Sequence, residues 1–294
     1  MNVKQRTLII AEVGECYNGD MDVARKLMIA AREAGCDIVK FQTLDYDKIS
    51  DDDPEKEWFR KIALGPERIN VLIGYAREAG IDILFTPENV KTAQWLVNAG
   101  LRSVKIASSG MADPGLRDYV KRNFETVFLS TGMASLDEVN AAVETLSDVR
   151  DLYIMHCVSE YPTGPLLEHR GLKALDSSDV RLNMMKMMLS LFPYAKVGYS
   201  DHTDGILAPV AAVAAGAKVV EKHITLDRKT PVENFRKRGE YLGTDHVLSI
   251  EPPELREMVR QIREVESMFG EWSWKRSDGE IILKDFLRGR FVRE

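Results

Sequence analysis

Lys218-Val219-Val220-Glu221-Lys222-His223 is a short apolar run that ends in groups able to do chemistry. The same design recurs upstream in Leu8-Ile9-Ile10-Ala11-Glu12, Ile38-Val39-Lys40-Phe41-Gln42 and Val104-Lys105-Ile106-Ala107-Ser108. Thr126-Val127-Phe128-Leu129-Ser130 and Lys196-Val197-Gly198-Tyr199-Ser200-Asp201-His202 belong to the series as well. A parallel strand covered by helices on both faces needs a continuous β-branched run, because neither face meets water. Charged and hydroxylic residues gathered at one end of many such strands mark the catalytic rim of an α/β fold, the (β/α)8 TIM barrel.

Outward from these runs, strand-like and helix-like segments alternate to about residue 270. Ile83-Leu84-Phe85-Thr86, halted by Pro87, reads as the third strand and Leu152-Tyr153-Ile154-Met155-His156 as the sixth, for eight in all. The turn Tyr17-Asn18-Gly19-Asp20 leads into Val23, Leu27, Met28 and Ala31, spaced as one helix face. A last helix is predicted over Pro253 to Met268, with Leu255, Met258, Val259 and Ile262 inward. Met184-Met185 and Met187-Met188, with Leu189 and Phe192, read as helix core. The division is a catalytic barrel over 1–270 and a short tail or linker arm over 271–294. Trp272, Trp274, Phe286 and Phe291 of that tail read as a strapped-down arm or an oligomer contact, which points to a homodimer. Two connections, Pro162 to about Arg181 and Leu226 to Leu248, are longer than a barrel needs and would lie on the catalytic face.

The chain has 294 residues, 45% hydrophobic and 29% charged, enough for one large core. A net charge of -6 argues against nucleic acid as a partner. Cys16, Cys36 and Cys157 lack metal-ligand spacing and cannot all pair, which suits a reducing cytoplasm. No stretch approaches a membrane span and no signal sequence opens the chain. A cytoplasmic protein is expected.

His202 and His223 follow neighbouring strands, about 4.8 Å apart, and can share a divalent Lewis acid such as manganese, zinc or iron. Hydrogen bonding within the rim is the equal alternative. Lys40 and Lys105, with Thr86, Ser108, Ser130, Thr131 and Ser200, converge as a clamp for phosphate or carboxylate. A lysine forming a Schiff base is the competing chemistry. Glu12 reads as a metal-linked carboxylate, a general base or a rim partner for Lys40. Cys157 and His156 are sequence neighbours facing opposite ways, which disfavours a nucleophile. Arg236, Lys237 and Arg238 could grip a charged substrate or form a solvated loop.

Several of these segments resemble the sialic acid synthase family. Ile10-Ala11-Glu12-Val13-Gly14, Asn18-Gly19-Asp20 and Val39-Lys40-Phe41-Gln42-Thr43 are similar to its opening. Lys105-Ile106-Ala107-Ser108, Leu129-Ser130-Thr131-Gly132-Met133 and His156-Cys157-Val158-Ser159-Glu160-Tyr161-Pro162-Thr163 continue the match. Gly198-Tyr199-Ser200-Asp201-His202-Thr203 and Glu221-Lys222-His223-Ile224-Thr225 complete it, in family order from residue 8 to about 268. The resemblance implies condensation of phosphoenolpyruvate with the open-chain aldehyde of an amino sugar such as N-acetylmannosamine. It implies that His202 and His223 hold manganese or magnesium, and that Lys40, Thr86, Lys105, Ser108, Ser130, Ser159 and Ser200 grip phosphoenolpyruvate. Gln42, Tyr161 and Asp245 match positions facing the sugar.

Three departures stand out. The family's strand-4 rim usually reads Ser-Gly-Glu, with acid/base work given to the Glu; here it is Ser108-Ser109-Gly110-Met111, so Glu12, Glu15 or Glu160 must supply the carboxylate. The family's Asn-His-Asn-Gly is Cys16-Tyr17-Asn18-Gly19. The sequence also stops about where a C-terminal antifreeze-like domain is expected, whose arginine Arg236, Lys237 or Arg238 would replace. A catalytically silent barrel that binds a sugar or a partner enzyme is the reading of another class, supported by the absent carboxylate.

Overall fold

A computed structural model describes residues 6–52, 56–160, 175–229 and 245–290. The eight strands are β1 (Leu8–Glu12), β2 (Ile38–Thr43), β3 (Asp82–Pro87), β4 (Ser103–Ile106), β5 (Thr126–Ser130), β6 (Asp151–Cys157), β7 (Lys196–Asp201) and β8 (Val219–His223). Their order is β3-β2-β1-β8-β7-β6-β5-β4. Every ladder is parallel. β3 and β4 lie side by side and bring the two edges together. The expected TIM barrel is the observed fold.

Helices α1 (Met21–Ala34), α2 (Lys56–Ile62), α3 (Pro66–Ala79), α4 (Val90–Asn98), α5 (Pro114–Asn123), α6 (Leu136–Thr145), α7 (Leu182–Leu191) and α8 (Leu207–Ala214) intervene. A short α9 (Asp245–Leu248), then α10 (Pro252–Met268) and α11 (Asp278–Gly289) follow. Local chemistry sets their ends. The Asp20 carboxylate accepts from the Asp22 and Val23 amides at the start of α1, and Gly35 closes that helix at φ 90°. Helix α10 buries the expected stripe of Leu255, Met258, Val259 and Ile262.

Strand parity divides the core. Ile10, Leu84, Phe128, Tyr153, Met155 and Val219 form one apolar cluster inside the barrel. Their sequence neighbours Ile9, Val39, Phe85, Val127, Ile154 and Val220 pack outward against the helices. The inner cluster lies toward the N-terminal ends of the strands, with Phe128 and Tyr153 stacked at 4.6 Å. It forms an apolar floor.

Two expectations change. Helix α7 buries only Met185 and Met188, whereas Met184 and Met187 are exposed, because a helix on a barrel wall has one inward face. The stretch after Gly270 is not strapped onto the barrel. No residue of α11 is buried, and Trp272 and Trp274 are fully exposed. Phe291 lies outside the described residues. So do Tyr161 and most of each long connection, including Arg236, Lys237 and Arg238. No described helix is long and apolar enough to cross a membrane.

His156 faces out of the barrel, and its Nε2 donates to the Val180 carbonyl at 2.7 Å. Its buried Nδ1 has no hydrogen-bond partner among the described residues, and burial lowers its pKa. The unfolded chain takes up a proton near pH 6.5 that the folded form resists. Stability is therefore full above that pH and falls on acidification. Urea unfolding at pH 7.5 and 5.5 is expected to show a larger loss for the wild type than for His156→Gln.

Candidate active site

The parity that builds the floor also sends Glu12, Lys40, Lys105, Ser200, Glu221 and His223 into the barrel mouth at the C-terminal strand ends. Lys40 Nζ lies 2.7 Å from Glu12 Oε2 and 3.7 Å from Glu221 Oε1. Lys105 Nζ lies 2.5 Å from the same Glu221 oxygen and donates to Ser200 Oγ at 3.2 Å. The Ser200 hydroxyl in turn donates to Glu221 at 3.0 Å. Lys40 also donates to Thr86 Oγ1 at 3.1 Å, and Gln42 Nε2 donates to Glu12 Oε1 at 2.7 Å. Glu12, Lys40, Lys105, Ser200 and Glu221 are all buried.

Two ammonium groups and two carboxylates thus neutralise one another away from water, which buried charges require. Burial opposes ionisation of Glu221, but Lys105 and Lys40 outweigh it and bring its pKa down to about 2. Burial also opposes the Lys40 charge, yet Glu12 and Glu221 raise its pKa. Glu221 is the residue that the sequence reading missed. The signal was available: in Val219-Val220-Glu221-Lys222-His223, alternate residues share a face, so Glu221 had to point the same way as His223.

The two imidazoles stand beside this quartet, with ring centroids 5.4 Å apart. His202 Nδ1 is 3.0 Å from the Val158 carbonyl. His223 Nδ1 is buried and lies 3.4 Å from Asp245 Oδ2, the nearest carboxylate to it among the described ion pairs. Asp245 is held by Glu15, whose amide donates to Oδ2 at 3.3 Å and whose Oε1 accepts from the Asp245 amide at 3.1 Å. Burial, then the neighbouring His223 and Lys105, push the His202 pKa down to about 4. For His223 burial also opposes charge, but Asp245, Glu12 and Glu221 prevail and raise the pKa. Among the described residues no group of three or more His, Cys, Asp or Glu forms a metal cage. Two imidazoles, one with a buried nitrogen facing a carboxylate, nevertheless form a donor pair that suits a divalent cation with positions left for oxygen ligands.

Beyond the ends of β4 and β6 the Ser108 and Ser159 hydroxyls are 3.0 Å apart. Gly132, at φ 39°, packs against them; a Cβ there would come within 2.2 Å of Ser108 Cβ and 2.3 Å of Ser159 Oγ. Ser130 is buried, and burial raises the pKa of the Cys157 thiol, so that sulfur is a poor nucleophile. Glu160 is exposed, and no hydrogen bond or ion pair among the described residues joins it to the quartet. Gly110, where the family's strand-4 carboxylate is expected, carries no side chain to supply one. Glu12 and Glu221 are therefore the carboxylates that the fold sets against the two lysines.

The chain is 39% identical to an uncharacterised protein of Methanocaldococcus jannaschii over 267 residues, 90% of this chain and 72% of that one. It is 32% identical to the N,N'-diacetyllegionaminic acid synthase of Legionella pneumophila, over 95% of this chain and 78% of the relative. The crystal structure of N-acetylneuraminic acid synthetase from Leptospira borgpetersenii superposes with a TM-score of 0.83 at 26% identity, covering 99% of this chain and 94% of that one. A family model matches residues 27–273, nearly the whole barrel, so the resemblance carried by the rim motifs reflects descent: the chain belongs to the NeuB family.

Proposed function

We propose that this family member condenses phosphoenolpyruvate with an aldose of the N-acetylmannosamine type. With water, the products are a sialic-acid-like 2-keto-3-deoxy sugar acid and phosphate. The observation that carries the reading is the Lys40–Glu12–Glu221–Lys105 quartet set beside two imidazoles at the barrel mouth. Lys40 and Lys105, helped by Thr86, Ser130 and Ser200, hold the phosphate and carboxylate of phosphoenolpyruvate in register, and Ser108 and Ser159 close the far side. Gln42 and Asp245 face the sugar; Tyr161, which the resemblance also assigns to it, lies outside the described residues. A divalent cation, manganese or magnesium, held by His202 and His223 would polarise the aldehyde oxygen.

The C3 carbon of the enol forms a bond to the aldehyde carbon. Water then adds at C2, and the C2–O bond breaks to release phosphate. Glu12 or Glu221 orients that water and accepts its proton, in place of the carboxylate absent at Gly110 and of the exposed Glu160. Schiff-base chemistry is disfavoured. Glu12 and Glu221 keep Lys40 protonated, and a protonated amine has no lone pair to offer.

Phosphate release from phosphoenolpyruvate with manganese, across a panel of N-acetylated and phosphorylated aldoses, tests the proposal. Release that depends on one aldose is expected, falling about 10³-fold or more in a His202→Ala/His223→Ala double variant. Bound manganese without release on any aldose would favour the silent barrel instead.

A further inference from the structure

On the outer face of the same two strands lies a second ion pair, which takes no part in the chemistry above. Asp201 of β7 and Lys222 of β8 are direct register partners. Their side chains are wholly buried, with Nζ 2.7 Å from Oδ2. They point away from the barrel mouth, because each is one residue out of phase with Ser200 and Glu221. Asp201 also accepts from Tyr199 Oη at 2.8 Å, from the Thr203 amide at 3.2 Å, and from Thr203 Oγ1 at 2.9 and 3.0 Å. Lys222 makes a second hydrogen bond, to the Thr203 carbonyl.

These bonds share a geometry. Strand β7 ends at Asp201, so His202 lies just beyond its ladder, where backbone freedom normally begins. The residues on both sides of His202 are tied to Lys222, the residue before His223. A buried ion pair is a poor way to gain stability, since apolar replacements of similar volume do as well. What it supplies here is direction: tethers of fixed length between the two histidine-bearing segments.

We propose that Asp201 and Lys222 are positioning residues that set the separation and aim of His202 and His223, and so the affinity of the site for a divalent cation. The inference rests on the proposed metal role of those histidines. Groups that orient metal ligands typically alter affinity by about 10–100-fold when removed.

The test is the manganese dissociation constant, read from free manganese by electron paramagnetic resonance. It is accompanied by thermal unfolding in chelator and by phosphoenolpyruvate binding in chelator. Lys222→Met alone strands a buried carboxylate and risks a folding defect. The neutral Asp201→Asn/Lys222→Met pair avoids that, because an amide oxygen still accepts from Tyr199 and Thr203. Thr203→Val gives a third, milder loosening. For the neutral pair, manganese binding about 10–100-fold weaker is expected, with phosphoenolpyruvate binding in chelator within about 2-fold of wild type, since the lysine clamp lies on the other face.

A merely structural pair would lower the unfolding temperature and leave manganese affinity at the wild-type value, which overturns the proposal. The His202→Ala/His223→Ala variant separates the two claims. If it binds manganese as the wild type does, the metal reading falls and the positioning role of Asp201 and Lys222 with it. If it loses manganese while the neutral pair binds normally, only the positioning role falls.

Discussion

Glu221→Gln is expected to lower phosphate release by about 10³-fold and to destabilise the ligand-free protein by about 3 kcal/mol, with inorganic phosphate restoring much of that stability. The carboxylate serves two ammonium groups at once, and the pull of Lys105 and Lys40 brings its pKa from 4.5 to about 2 despite burial. A shift of that size is on the order of 3 kcal/mol in favour of the ionised form. The sign follows from the direction. The contribution is fully present above the unfolded value and is lost as pH falls from about 4.5 toward 2. Glutamine keeps the shape and an acceptor oxygen but removes the charge, leaving the Lys105 ammonium with only neutral acceptors, Ser200 among them. An uncompensated buried ammonium costs about 3–5 kcal/mol, and an anion entering the mouth offsets it. Thermal unfolding at pH 7 with and without phosphate checks this. A variant as stable as the wild type and indifferent to phosphate would show that the lysines do not depend on Glu221.

Gly198→Ala is expected to lower stability by about 3 kcal/mol and the unfolding temperature by roughly 6–12 °C. Gly198 faces into the barrel from β7, where a Cβ would stand 2.3 Å from Val219 Cγ1 and 2.8 Å from the Val219 carbonyl oxygen. The side-chain contact could be relieved by moving a methyl group, but the backbone contact forces β7 and β8 apart. Overpacking of this kind destabilises because close-packed neighbours cannot yield without strain. Adding Val219→Ala removes the first contact and not the second, so the double variant is expected to recover only part of the loss. Calorimetry on the three proteins decides. An unchanged unfolding temperature in Gly198→Ala would mean that the strands separate freely there.

The fold was legible because a parallel barrel writes itself as repeated apolar runs, and the rim because reactive residues end those runs. Lys40, Lys105, Thr86 and Ser200 meet as their positions suggested. The pair between Glu12 and Lys40, one of the readings open from sequence, is what the structure shows. Glu221 is hidden in the composition of Glu221-Lys222-His223, where only strand alternation separates the outer two, which point inward, from Lys222, which points out. Glu15 was legible only as a spare carboxylate, since its link to Asp245 spans most of the chain. The methionines of α7 misled for a similar reason: apolar content marks a helix, but only its spacing marks the buried side. Propensity and composition are local, and contacts that join strand ends to distant loops are not.

The apolar floor has a consequence for traffic. Ile10, Leu84, Phe128, Tyr153, Met155 and Val219 seal the barrel below the charged quartet, so small molecules reach the lysines by the same doorway through which they leave. Whatever binds deepest must arrive first and depart last. On the proposed reaction, the phosphoryl compound goes in before the sugar, and the bulky product at the threshold clears before the anion beneath it. Accumulated phosphate would then queue at the same door and act as a competitor of the incoming phosphoenolpyruvate.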